Sequence, residues 1–412
     1  MQMLKENTYR PFRIKNSFLL FSLLLWLMGC VEPYEGEVTD YEDVIVVNAN
    51  LTNELKRQEV RLTRSYRFEE EEPRSESNAQ VQIIGDDGST FGFEEFEPGR
   101  YLSNIQFAAQ PNIAYSLSIE TEEGKFYNSD AMSLPSAALL EDLYAERTTN
   151  DDGEDGIGIF VDSFDPESQS RYYRFEFEET YKVIAPYWSK FDAVVLSEGH
   201  STISLGVILR EREEQVCYGT DTAKDILIQS TLGLSEDRLT RFRVRFIKND
   251  NYIITHRYSI LVKQFVQNPE AFTYYETLKG LSKLSGNIFS EDQPGFLGGN
   301  ISAADGSEEN VAGFFEVSAV NEKRIFFDYE DFYAGEEKPP FLSSCFFTAP
   351  TTTGRLGERR LLNAIYDDNL RFYDYNRNPD QEVGTGPFLM VRPECGDCTV
   401  LGSNKVPDFW IE

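Results

Sequence analysis

Cysteine, histidine and clustered carboxylates carry much of protein site chemistry, and this chain uses them in few recognisable patterns. Cys395-Gly396-Asp397-Cys398 is a CxxC. A redox pair of that kind needs a helix start in a βαβ setting to lower one thiol pKa. Here the motif follows Pro393 and runs into Thr399-Val400-Leu401-Gly402, without such a pattern. No second CxxC and no nearby histidine completes a zinc set. Together with Cys217 and Cys345 the motif makes an even set of four, which predicts two structural disulfides whose pairing the sequence leaves open. The two histidines are His200, in a loop after Ser197-Glu198-Gly199, and His256, at a strand start between Thr255 and Arg257. Neither accompanies a GxSxG elbow, and no GxGxxG or GxxxxGK[ST] string follows a strand. Asp151-Asp152-Gly153-Glu154-Asp155-Gly156 has calcium-loop composition, but Gly153 and Asp162 stand where an EF-hand needs Asp/Asn and a bidentate Glu. A solvated turn is expected there. The 70 acidic residues supply many accidental carboxylate pairs and none is marked out. The expectation is a protein with no catalytic residues, no metal and no cofactor.

One cysteine stands apart. Lys5, Arg10, Arg13 and Lys15 precede the apolar run FLLFSLLLWLM at positions 18–28, which is short of the roughly 20 residues a spanning helix needs. Leu27, Met28 and Gly29 then precede Cys30, an arrangement that resembles the lipobox of bacterial lipoproteins. The resemblance implies cleavage after residue 29, acylation of Cys30, and a mature protein anchored on a membrane without crossing it. Several acyl chains, at about 0.8 kcal/mol per buried CH2, would hold it there. The segment 30–40 that follows is an acidic tether, with Glu32, Glu35 and Glu37 close behind the cysteine. It resembles the surface-export tether of Bacteroidota lipoproteins, which implies an outer-membrane location, exposed at the cell surface or else on the periplasmic face.

Charge narrows the partners. The 412 residues hold 39 Lys+Arg against 70 Asp+Glu, a formal net charge of -31. Removal of residues 1–29 would take away four basic side chains and one acidic one, leaving 35 against 69. Such a surface repels phosphate backbones, so nucleic acid is not an expected partner. Hydrophobic residues at 41% and aromatics at 14% are nonetheless sufficient for packed cores.

The elements that must position any site read as mainly β. Between 41 and 133, Val44-Ile45-Val46-Val47, Val60/Leu62, Val81/Ile83 and Tyr115/Leu117/Ile119 form short strands of period two. Asp87-Gly88, Pro98-Gly99 and Glu123-Gly124 turn between them. This predicts an amino-terminal β-sandwich of immunoglobulin or prealbumin type. A linker is expected over 134–156, and a larger β-rich domain over 157–412. One helix is expected at 269–285, capped by Asn268, begun by Pro269 and ended by Gly286. Phe272, Tyr275, Leu278 and Leu281 make its packing stripe. The best lead to a ligand or partner contact is Tyr187-Trp188 in the turn after Ala185-Pro186, since Tyr and Trp give large contact area at low entropy cost.

Several segments resemble, as a set, a Bacteroidota lipoprotein family catalogued as domain of unknown function 4249. They include Asn78-Ala79-Gln80-Val81, Gly99-Arg100-Tyr101, the stretch from His256 to Val262, and Asn268 to Phe272. Gly286-Asn287-Ile288-Phe289, Gln293-Pro294, Gly299-Asn300-Ile301 and Val311-Ala312-Gly313-Phe314-Phe315 follow, then Pro393 to Cys398 and Lys405 to Trp410. The resemblance implies an accessory role beside a TonB-dependent outer-membrane receptor and supplies no active site. The expected function is a non-catalytic binding or lid module with an unidentified ligand. The alternatives are a structural part of an envelope assembly and, more remotely, a glycan-directed enzyme.

Overall fold

The computed structural model describes residues 43–66, 73–199, 203–284, 297–307, 309–352 and 359–412. The leader, Cys30, the tether and His200 lie outside these. The fold is mainly β, with 48% of the described residues in strands and 10% in helices. Its first strands are β1 (Ile45–Thr52), β2 (Glu59–Arg64), β3 (Gln80–Gly85), β4 (Thr90–Glu97), β5 (Arg100–Ser103), β6 (Ala114–Glu120), β7 (Phe126–Ser129) and β8 (Met132–Ser133). There follow β9 (Leu139–Thr149), β10 (Asp155–Asp165), β11 (Tyr172–Ile184), β12 (Phe191–Glu198), β13 (Ile203–Leu209), β14 (Val216–Thr222), β15 (Leu227–Ser230), β16 (Asp237–Lys248) and β17 (Tyr258–Val266). Helix α1 (Pro269–Leu284) precedes β18 (Ile301–Ala303), β19 (Val311–Phe327), β20 (Arg371–Tyr375) and β21 (Phe388–Val391).

Period-two alternation decides these strands. In β6 the buried Tyr115, Leu117 and Ile119 alternate with half-buried Ser116 and Ser118, so one face must find an apolar partner. Each such aliphatic side chain contributes about 1.5–3 kcal/mol on burial. The partner is the same sheet. Among the described residues a 14-stranded sheet runs in the order β14-β11-β17-β19-β1-β2-β5-β4-β3-β6-β7-β18, with β15 and β8 paired off this path. Its amino-terminal part curls until the segment before β18 returns to β19, where Gly298 bridges Ala312. Ile45, Val47, Leu51, Val60, Leu62, Val81, Ile83 and Leu117 fill the enclosed core. A smaller sheet, β16-β10-β9, covers the other half of the large sheet. Ile157, Ile159, Val161, Leu239 and Val244 there pack with Tyr173, Phe175, Tyr258, Ile260 and Val262 of the large one.

Two cores therefore lie near where two domains were expected, but the chain crosses between them. β19 pairs in parallel with β1 over Ile45↔Val311 to Thr52↔Ser318 and antiparallel with β17 further on. Ala271, Ile301, Val311, Phe315 and Val317 belong to the amino-terminal core, and residues 44–412 cluster as one compact unit. Residues 134–156, read as a linker, contain β9 and its hairpin turn into β10. The Asp151–Asp155 carboxylates serve that hairpin. Asn150 Oδ1 accepts the Asp152 and Glu154 N–H groups, Gly153 takes a φ of 80°, and Asp151 and Glu154 face Arg243 and Lys248. Periodicity missed β9 because its charged residues, Glu141, Asp142 and Glu146, interrupt the apolar pattern.

Helix α1 forms where predicted. Asn268 is used differently from the expected cap: its side-chain amide donates to Ser133 O at 2.9 Å, tying the helix start to β8. Its own carbonyl accepts Phe272 N–H at 3.0 Å.

Candidate binding groove

The face of the large sheet opposite the cores is polar. Strand parity puts Arg174, Glu176 and Glu178 of β11 on it, beside Phe265, Lys263 and Leu261 of β17 in register. Asn48, Asn50 and Thr52 of β1 continue it, and Glu59 and Arg61 of β2 form its far wall. The result is an open trough of about 910 Å³, flanked by α1 at Tyr275 and by the loop 222–227 between β14 and β15. Five cationic and four carboxylate side chains line it, in a chain whose acidic groups outnumber basic ones 70 to 39. The groove is thus a locally balanced region of a negative surface, where anionic ligands meet less repulsion than elsewhere.

Arg174 organises its inner end. The side chain is 6% exposed and lies between two rings, with its guanidinium carbon 4.2 Å from the Phe265 centroid and 4.7 Å from that of Tyr275. Nη2 donates to Glu316 Oε2 at 3.1 Å, and Nη1 pairs with Glu176. Glu316 is fully buried on β19 and also accepts from Gln267 Nε2 at 2.9 Å. Burial opposes the charge on Arg174, but the carboxylate of Glu316, with Tyr275 and Glu176, raises its pKa above the ordinary arginine value. A permanently charged post therefore fastens α1 to the sheet at the head of the groove.

A second cavity of about 370 Å³ lies on the other side of the 222–227 loop. Arg245 reaches into it and grips the buried Glu179 through two bonds, at 3.0 and 2.9 Å, while Tyr258 Oη donates to the same carboxylate at 2.5 Å. Burial, then Glu179, pushes the Tyr258 phenol well above its usual range. Glu179 is thus ion-paired with Arg245 and accepts three hydrogen bonds in all.

His256 borders a third, smaller pocket with Lys182, Arg257, Lys338, Asp328, Glu330 and Glu412. Burial, then Lys338 and Lys182, lowers its pKa from 6.5. The unfolded chain therefore takes up this proton at higher pH than the folded one. Stability contributed by neutral His256 is complete above pH 6.5 and is lost as pH falls from 6.5 toward the folded pKa. Thermal midpoints measured from pH 7.5 to 5.5 should fall less in His256→Gln than in the parent; parallel curves would refute the assignment.

The predicted contact residues sit elsewhere. Tyr187 packs edge-on against Phe347 and Tyr373, with centroids 4.8 and 5.4 Å away, and Trp188 is half-buried against the core shared by the large sheet and β16-β10-β9. Tyr187 braces a lobe in which β12 and β13 pack on Leu361, Phe372, Phe388 and Met390. Two disulfides staple this lobe: Cys345–Cys395 and Cys217–Cys398. The two cysteines of the CxxC thus bond to different partners, and Asp397 between them accepts from Thr399 N at 2.9 Å and Arg371 Nε at 3.2 Å. Nothing in the local sequence singles out Arg174: Arg174-Phe175-Glu176-Phe177 alternates as a strand does, and only the fold brings Glu316, 142 residues away, to its guanidinium.

The short motifs also acquire a role. Asn300 mimics a strand neighbour for Phe315: its amide donates to Phe315 O, and its Oδ1 accepts Phe315 N–H, both at 2.9 Å. Gly313 has a φ of 105°, and a Cβ there would stand 1.8 Å from Val47 O. Gly299-Asn300-Ile301 and Val311 to Phe315 therefore meet at the junction where β19 enters the amino-terminal sheet. The family model described as Domain of unknown function (DUF4249) matches residues 31–324. The chain belongs to this family. The DUF4249 match takes in the groove strands and ends within β19, so the terminal segments 393–398 and 405–410 lie beyond it. No curated protein matches the chain.

Proposed function

We propose that this DUF4249 protein is an outer-membrane lipoprotein, held by an acylated Cys30 and exposed at the cell surface, that serves a TonB-dependent transporter as a non-catalytic binding module. The observation that carries the binding role is the groove. It is wide, open and charge-balanced on an acidic protein, and its buried charges are neutralised in pairs. Such a surface recognises a ligand by many modest contacts. The lipobox-like sequence before Cys30, the acidic tether and the family support the location and the partner. Among the described residues no helix is long and apolar enough to cross a membrane.

Cys30→Ala should leave an unacylated protein in the soluble fraction after cell lysis; unchanged membrane retention would refute the anchor. Affinity purification of the wild type from detergent-solubilised outer membranes should bring down the barrel of a TonB-dependent transporter. Its absence under conditions that keep other lipoprotein–receptor pairs intact would sink the transport reading.

A further inference from the structure

The stapled lobe carries an unfinished strand edge. β13 pairs with β12 along one side, from Phe191↔Leu209 to Glu198↔Ile203. Arg210 N–H donates to Lys190 O at 2.9 Å, which sets the phase of the ladder. In that phase Ile208 and Gly206 bond to β12, and the N–H and C=O groups of Leu205, Val207 and Leu209 point away from it. Among the described residues nothing bonds to those outward groups. The strand reads ISLGVIL, with no charge and no proline. Exposed edges are normally blunted with lysine, proline or a bulge facing outward, and this one has none of these devices. Leu205 and Val207 pack on the lobe core, so the edge is held in place, while Ile208 at 51% and Leu209 at 63% exposure flank it with apolar surface.

We infer that β13 is a docking edge that adds an extended segment of a partner protein as a further strand. Backbone groups of Leu205, Val207 and Leu209 supply the hydrogen bonds, and Ile208 and Leu209 select apolar side chains on either face of the incoming strand. Charge chooses the partner. The run Arg210-Glu211-Arg212-Glu213-Glu214 just beyond the strand has a net charge of -1, and the whole chain carries -31, so a segment flanked by lysine or arginine is favoured and a second copy of this chain is repelled. The inference rests on the binding-module reading only in supposing that a partner protein exists; the chemistry of the edge is independent of lipid anchor and transporter.

Hydrogen exchange on the full chain tests it. Two synthetic probes share an alternating valine–threonine heptamer, one flanked by lysines and the other by glutamates. The lysine-flanked probe should slow exchange at Leu205, Val207 and Leu209 by about tenfold or more, and the glutamate-flanked probe much less. Leu209→Pro removes one outward N–H without touching the β12 ladder and should abolish protection, whereas Leu209→Ala should keep most of it. No protection by either probe, or equal protection by both, overturns the proposal. Protection without peptide in a species of doubled mass would assign the edge to self-pairing. A blue-shifted Leu196→Trp fluorophore in phosphatidylethanolamine vesicles would assign the hairpin to lipid; either result also overturns it. A failed transporter purification leaves these outcomes unchanged, so the two readings fail separately.

Discussion

Replacing Cys217 and Cys398 together by alanine should lower the thermal midpoint by about 5 °C or more. The bond closes a span of 181 residues, from the start of β14 to the second cysteine of the CxxC. A loop of that length removes about 5 kcal/mol of denatured-state entropy in the chain-entropy model. Both residues are fully buried, so the alanines leave a small apolar cavity and no stranded polar group. Cys345→Ala with Cys395→Ala opens a span of 50 residues, and the expected loss is slightly smaller, about 4 kcal/mol. The effects should also differ in place. The first pair joins the lobe to the edge of the large sheet, so its loss should expose β14 and the terminal segment to protease. The second acts within the lobe. Differential scanning fluorimetry without reductant provides the check. Midpoints equal to the parent, or a parent insensitive to dithiothreitol, would show that the bridges do not bear on stability.

The legible and illegible parts of this molecule divide along sequence distance. Strands such as β6 and β17 were visible because one face alternates into a core, and α1 because Pro269 and its apolar stripe lie within a few turns. The closure of the amino-terminal sheet by β19 was not visible. Parallel pairing of β1 with a strand more than 250 residues later leaves no local periodicity. Val311 to Phe315 reads simply as a strand until the pairing with β1 shows that a Cβ at position 313 would stand 1.8 Å from Val47 O. The cysteines show the same limit. Their number and setting predicted two disulfides, and the structure has them, yet the nested pattern, in which neighbouring Cys395 and Cys398 bond to Cys345 and Cys217, follows only from how the lobe folds back. In the aromatic turn Tyr187-Trp188, the Tyr187 ring packs against Phe347 and Tyr373, which are far away in sequence.

Arg174→Met should destabilise the protein by about 3–5 kcal/mol, although methionine preserves most of the apolar volume. The loss comes from what remains behind. Glu316 is fully buried and would keep only the Gln267 amide as a partner. The sandwich between Phe265 and Tyr275 would also lose its cation, worth about 0.5–2 kcal/mol. If the stranded carboxylate dominates, removing its charge should recover most of the stability. Arg174→Met with Glu316→Gln should lie within about 1–2 kcal/mol of the parent, because a buried ion pair costs nearly as much in desolvation as it returns. Urea titration of the four proteins gives the coupling directly. Strictly additive losses, or a single Arg174→Met change within about 1 kcal/mol of the parent, would overturn this account. Exchange rates report on position: amides of α1 should open faster in Arg174→Met, since the guanidinium joins the helix to β11 and β19 through Tyr275 and Glu316. The same variant should weaken any ligand that binds the groove, whereas Lys224→Ala, on the exposed rim, should alter affinity while leaving the melting curve in place. A residue that merely filled space would separate neither pair of measurements.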